Sequence, residues 1–296
     1  MSNISDALEI RQKYKHFRIL VIGRANAGKT TLLKRVCNTT EEPSIYNEGK
    51  SNLLEGTDKR GVHDINRAFT FASNPQFLFH DSAGFEAGSE EELKEVQAFI
   101  AEHAKANEVA DQLHAIWPVS TSPLLQMFCF TPDIARPLLE LENRFFNEER
   151  PQNVPLVAIF TKFDDLIIQV YDDDKSEDEN RQAAEHELET KFKKPLYGYR
   201  FPPKAHVCTE DLNDDEGSHQ DQVKELMTKT ADSLDDLALK LLFVSVQQNN
   251  LELCIHSALE YMHHYSSGLS KKNQIRNALS WFSHAYQEDH VRMSHV

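Results

Sequence analysis

A short apolar strand running into a glycine-closed loop and then a helix limits this chain more than any other feature. Residues 17–22 (FRILVI) are apolar and β-prone, Gly23-Arg24-Ala25-Asn26-Ala27-Gly28-Lys29-Thr30 follows, and residues 30–38 continue with helical character. The octapeptide fits GxxxxGK[ST] in full, in the strand–loop–helix setting its chemistry requires. Backbone N–H groups of such a loop turn inward and the helix dipole adds positive potential, so the loop is built to cradle phosphate. Gly28 permits close backbone approach, Lys29 reaches the terminal phosphates, and the Thr30 hydroxyl is placed to hold Mg²⁺. Gly23, Arg24, Asn26, Ala27 and Thr31 complete the predicted phosphate-binding set.

Downstream, apolar strand-like runs alternate with helical patterns, the mark of an α/β domain with a mainly parallel sheet. Residues 62–71 alternate apolar and polar, and with a buried strand at 77–79 they form a hairpin across Ser73-Asn74-Pro75. SEEE at 89–92 reads as a capping box opening a helix to about residue 103. Strands are expected at 113–119, 154–160 and 205–209, and helices from Thr131-Pro132 through 146 and over 185–192. Between 234 and 262, Leu237, Leu241, Val244, Leu251, Ile255, Ala258 and Met262 keep helical spacing, yet LLFVSV at 241–246 fits a strand as well. After 266–268 a last amphipathic helix carries Ile275, Leu279, Phe282 and Tyr286. Its opposite face is only weakly basic, which favours packing on the domain over a membrane.

Two segments narrow the ligand. His80-Asp81-Ser82-Ala83-Gly84 closes a buried strand about fifty residues after the cradle. In this DxxG arrangement Asp81 holds Mg²⁺ through water and the Gly84 N–H bonds the γ-phosphate. Thr161-Lys162-Phe163-Asp164 follows the strand at 154–160. A carboxylate there accepts from the guanine N1–H and exocyclic amine, whereas adenine presents an acceptor at N1 and is penalised, which also speaks against an ATPase or P-loop kinase. The stem of Lys162 covers the ring. The usual form of this segment begins with Asn, and Thr161 has fewer donors to offer.

The three motifs in order make the chain resemble the translation-factor-related class of P-loop GTPases over roughly residues 17–237. GRANAGKTTLL resembles the Era and TrmE branch. The Thr-Lys-x-Asp form and the stretch AHVCTEDLNDDEGSHQDQVKEL are more similar to the immune-associated nucleotide-binding GTPases. RGVHDIN, FHDSAGFEAGSEEEL and FTKFD are similar to G-domain proteins of mushroom-forming fungi. The resemblance implies an α/β P-loop NTPase G domain, its mainly parallel sheet carrying one antiparallel strand, with helices on both faces and further helices C-terminal to it. The expected organisation is an N-terminal segment at 1–16, the G domain at 17–237 and a helical extension at 238–296. It also implies that Thr57 completes the Mg²⁺ shell, that Asn26 helps hold K⁺ beside the phosphates, and that Lys29, Asn26, Thr57 and Gly84 serve catalysis. Phe85 stands where Ras-type proteins keep a water-orienting Gln, so hydrolysis is expected to be slow. The base-stacking loop lies near Thr209-Glu210 or near Ser245-Val246, depending on which element is the last strand.

Composition excludes other classes. A net charge of −15, from 32 basic and 47 acidic residues, argues against nucleic acid as a general partner. Part of the excess sits in DDDKSEDEN at 172–180, which reads as a solvated loop or helix start. No run is long and apolar enough to span a membrane. Four Cys without a CxxC pair fit a reducing, cytoplasmic setting. His80 and His114 read as core or loop histidines rather than ligands. GTP and GDP are the expected ligands, and a second copy or a protein effector the expected partner.

Overall fold

The computed structural model of the chain describes residues 16–23, 27–46, 64–82, 90–106, 111–121, 140–149, 151, 154–214, 219–246, 251–265, 268–279 and 281–282. Its strands are β1 (Phe17–Gly23), β2 (Ser44–Ile45), β3 (Phe69–Phe71), β4 (Asn74–Asp81), β5 (Ala115–Thr121), β6 (Val157–Thr161) and β7 (Ala205–Cys208). They form one sheet in the order β2-β3-β4-β1-β5-β6-β7. β3 runs antiparallel to both of its neighbours, and every other pairing is parallel, so β3 is the single reversed strand. This is the α/β sheet of a P-loop NTPase, with the antiparallel strand that the sequence predicts. β1 lies between β4 and β5, so the chain crosses over in opposite directions on its two sides, and a crevice opens beyond its carboxyl end.

The period-2 alternation of β1 divides the core. Phe17, Ile19 and Val21 face one layer, with Leu32, Leu33 and Val36 of α1 (Lys29–Val36) and Val223, Leu226 and Met227 of α7 (His219–Ser233). Leu20 and Ile22 face the other, with Leu93, Val96, Phe99 and Ile100 of α2 (Glu90–His103) and Phe145 and Phe146 of α3 (Glu140–Asn147). Both faces are covered, as a parallel sheet requires. Trp117 of β5, wholly buried, donates its indole N–H to Thr230 Oγ1 at 3.2 Å and so satisfies its polar end inside the first layer.

Several boundaries differ from the sequence reading. Of the described residues in the alternating run, 64–71, only 69–71 are strand, because Asp64 closes a turn: its Oδ1 accepts from Asn66 N at 2.9 Å and its carbonyl from Arg67 N at 3.0 Å. The hairpin turn falls at 72–73, with Asn74 already paired opposite Phe71. Helix α4 (Phe163–Gln169) follows β6. The helix expected from residue 185 begins eight residues earlier as α5 (Glu177–Leu188), opened by a full capping box between Ser176 and Glu179. The acidic run therefore serves as a turn and helix start, with Glu177, Asp178 and Glu179 favourably placed at the positive end of the dipole. A π segment (Glu189–Lys193) leads into α6 (Lys194–Gly198). Residues 241–246 are helical, within or at the end of α8 (Leu237–Ser245), and α9 (Leu251–Tyr265) and α10 (Lys271–Leu279) follow. Leu241, Phe243, Val244, Leu253, Cys254, Tyr261 and Trp281 share the first core layer with β1 and α1. Residues 122–139, with the expected helix start at Thr131, and Ser89 lie outside the described residues.

At the start of β1 a cleft of about 550 Å³ is lined by Arg18, Tyr46, Arg67, His80, His103 and Asp111 among others. His80 Nδ1 lies 2.7 Å from the Ile65 carbonyl and must donate there, so its Nε2 is the acceptor for Arg18 Nη1 at 3.0 Å. The imidazole is thereby fixed neutral. Burial pushes its pKa down from 6.5 to about 4, the Arg18 charge adding and the Ile65 hydrogen bond opposing. The folded value lies below the unfolded one, so this contribution to stability is complete above pH 6.5 and is lost as pH falls towards 4. Between pH 7 and 5 the loss is expected to be about 2 kcal/mol, read as the difference in urea-unfolding free energy between wild type and His80→Gln at the two pH values. A variant whose stability falls as steeply as that of wild type would contradict it. His114 is also interior, its Nδ1 accepting from Arg18 N at 2.8 Å.

Candidate functional site

The cradle starts where β1 ends. Gly23 closes the strand, and Gly28 takes φ 77° and ψ 14° immediately before α1. A side chain is strained in that left-handed conformation, which is why glycine stands there. A Cβ on Gly28 would meet nothing within 4 Å, so the space beside it is open to a ligand. α1 carries no acidic residue in its first turn and has Lys34 and Arg35 in its last, which leaves the positive potential at its N-terminus undiminished. Lys29 is buried, its Nζ donating to the Gly23 carbonyl at 2.9 Å and lying 3.5 Å from Asp81 Oδ1. Asp81 ends β4, which pairs with β1 in register Val21 to Asp81. The ammonium and the carboxylate thus meet at the mouth of the crevice. Thr30 is exposed on the first turn of α1, and Thr31 is partly buried beside it. A hydroxyl and a carboxylate suit a hard cation such as Mg²⁺, which would supply charge neutralisation for phosphate oxygens when bound.

The 161–164 segment, expected to read the base, closes the other side. Thr161 ends β6, and its buried hydroxyl donates to the Ala27 carbonyl at 2.8 Å. One side chain therefore ties the 161–164 segment directly to the phosphate loop. Thr161 does this with the single donor it has. Lys162 adopts φ 57° and ψ 46° and caps α4. Asp164, in the first turn of α4, accepts from Asp211 N at 3.1 Å, and Phe163 N donates to the Thr209 carbonyl at 3.0 Å. Thr209 N in turn donates to Phe160 O at 2.8 Å. The loop after β7 is therefore held against Asp164, so of the two expected base-stacking places Thr209-Glu210 lies beside Asp164, whereas Ser245 ends helix α8. Arg35 of α1 anchors that loop from below through the Leu212 and Asp214 carbonyls, at 2.8 and 2.5 Å. Sequence reasoning missed Asp211 and Arg35, because a backbone donor and a carbonyl clamp leave no motif. Arg24, Asn26, Thr57, Gly84 and Phe85 lie outside the described residues.

Replacing Thr161 with Val is expected to weaken GTP and GDP binding about equally and by roughly tenfold, since one buried hydrogen bond is lost and the Ala27 carbonyl is orphaned. Thr161→Ser should retain wild-type affinity. Titration with fluorescent GTP and GDP analogues measures both, and unchanged affinity in the Val variant would remove the link from the site.

Comparison with known proteins found one family model and a set of solved structures to which this chain is similar. Residues 18–162 match the family model described as 50S ribosome-binding GTPase. No curated protein matches the chain. Among solved structures, an S. thermophilus NFeoB mutant bound to GDP is 15% identical with a TM-score of 0.38, covering 92% of this chain and 82% of its own. A GDP-bound mutant of the S. thermophilus FeoB G-domain is 15% identical with a TM-score of 0.35, covering 89% and 76%. A further NFeoB mutant, bound to mGDP, is 16% identical with a TM-score of 0.37, covering 90% and 76%. The sheet has the architecture of an α/β P-loop NTPase, and residues 18–162, just under half of the chain, are similar to a GTPase family. Among the described residues no helix is long and apolar enough to cross a membrane.

Proposed function

We propose that this chain is a guanine-nucleotide switch that binds GTP with Mg²⁺, hydrolyses it slowly, and changes the ordering of the segments carrying Thr57 and Gly84 as it does so. The observation that carries this reading is the Thr161 hydroxyl on the Ala27 carbonyl, which joins the Asp164 side of the crevice to the Lys29 side. Lys29, Thr30, Thr31 and the backbone from Gly23 to Gly28 take the phosphates. Thr30, Asp81 and Thr57 form the metal set. Thr161, Lys162 and Asp164 read guanine. Asn26 is the candidate for a K⁺ that stabilises transition-state charge. The N-terminal segment 1–16, the G domain at 17–237 and the helical extension at 238–296 remain the proposed organisation, although the helices beyond 237 share the core of the sheet. A cytoplasmic setting, kinship with fungal G-domain proteins and a position between the Era/TrmE and immune-associated branches belong to the same reading.

A second reading follows from Phe85. A phenyl ring cannot orient an attacking water, so the chain could act as a GTP-dependent assembly module without turnover. Single-turnover hydrolysis of γ-labelled GTP with Mg²⁺, in K⁺ and in Na⁺, separates the two. Slow release of phosphate supports the switch, and complete retention over hours supports the module. Equal rates in K⁺ and Na⁺ would remove the role given to Asn26.

A further inference from the structure

Helix α9 has two apolar faces and the fold uses one of them. Leu253, Cys254, Ala258 and Tyr261 are buried against the sheet layer. Leu251, Ile255 and Leu259, at i, i+4 and i+8, remain 64%, 43% and 56% exposed. Together the two sets span an apolar arc of roughly 240° at 3.6 residues per turn, more than twice the width that packing on one core needs. The neighbouring α10 repeats the feature: Ile275 and Leu279, also four apart, are 62% and 38% exposed. The sequence reading had these two packing on the domain, but Asn277 and Trp281 turn inward instead. The ring of Trp281 lies 6.0 Å from that of Tyr261, on the buried side of α9.

We infer that the exposed face of α9, extended by α10, is a docking surface for a second copy of this chain. A stripe of like aliphatic side chains is self-complementary, so a two-fold interface needs nothing else opposite it. These five side chains and Leu269 expose on the order of 500 Å² per copy, over half of the ~800 Å² that each partner gives a standard interface. That is also near the upper end of what monomers leave uncovered. The acids on the flanks of α9 are already compensated, Glu252 by Lys224 at 2.5 Å and Glu260 by Lys240 at 3.2 Å. An identical copy can therefore approach without setting bare carboxylates against each other. An anionic lipid surface fits less well, because the chain as a whole carries −15.

Sedimentation velocity of the full chain, with GDP and with a non-hydrolysable GTP analogue, tests this. Wild type is expected to dimerise with a dissociation constant on the micromolar scale. Ile255→Ser should weaken the dimer by roughly tenfold, and the combined Leu251→Glu, Ile255→Glu and Leu259→Glu variant should abolish it with an unchanged thermal midpoint, as central interface anchors dominate affinity. The proposal is overturned if wild type stays monomeric at roughly 100 μM in both nucleotide states, or if the dimer survives Ile255→Ser unweakened. It is equally overturned if wild type is monomeric but co-sediments with phosphatidylserine–phosphatidylcholine vesicles, and Ile255→Ser abolishes that. The interface does not depend on hydrolysis, so its failure leaves the nucleotide reading intact.

Discussion

Asp164→Ala is expected to lower GTP affinity at least 100-fold while leaving the fold intact. The carboxylate accepts Asp211 N at 3.1 Å, and the base would add two bonds, from the N1–H and the exocyclic amine. Hydrogen bonds to a charged acceptor are worth about 1.5–3 kcal/mol each, so losing two removes at least about 3 kcal/mol, or roughly two decades of affinity. ATP, which gains nothing from Asp164, should bind the variant no worse than it binds wild type. The GTP-to-ATP preference therefore collapses from the GTP side. Asp164 is only half-buried at the start of a surface helix, so thermal unfolding should move little. Competition titrations with GTP and ATP analogues measure the effect. GTP affinity within a few-fold of wild type would mean that guanine is read elsewhere.

The second large effect is structural. Phe243 of α8 is fully buried, its ring centroid 4.7 Å from Phe17 and 6.0 Å from Phe77. Those two rings stand on neighbouring strands, opposite each other in register. Phe243→Ala should cost about 3–5 kcal/mol, the transfer of the ring plus the cavity it leaves. Domains are stable by roughly 5–15 kcal/mol in total, so the variant should lie near its unfolding midpoint at physiological temperature. A chain ending at residue 236 should fail to fold, since the outer side of β1 and β4 would lose its cover. Urea unfolding of Phe243→Ala is the measurement. A loss under about 1 kcal/mol would make α8 an appendage rather than part of the domain core.

These two cases also mark what was legible in the sequence. The cradle, Asp81 and the 161–164 segment could be read because each ends an apolar strand, and their residue types leave few alternative chemistries. α8 resisted because LLFVSV is apolar at every position but Ser245. A helix buried on most sides loses the 3.6-residue period that would identify it, and a strand fits the same letters. The early start of α5 was readable, since Ser176 and Glu179 have the spacing of a capping box, although the same acidic letters fit a solvated loop equally well. The two-residue β2 carries too little pattern for any periodicity. Ile275 and Leu279 show a different limit: spacing identifies an apolar face but not whether anything covers it.

The strand order has a kinetic meaning. The phosphate loop hangs from β1, Asp81 from β4, the 161–164 segment from β6 and the loop that holds it from β7, and the bond from Thr161 to Ala27 spans 134 residues. The phosphate loop is local, but Asp81 and the 161–164 segment reach it only through pairings distant in sequence. The complete site comes into being only when the distant parallel pairings are complete, which is the slow part of assembling such a sheet. Nucleotide would therefore bind the native chain best, where all of these segments are brought together. Folding should be unhurried, and unfolding should be progressively suppressed as GTP or GDP rises above its dissociation constant.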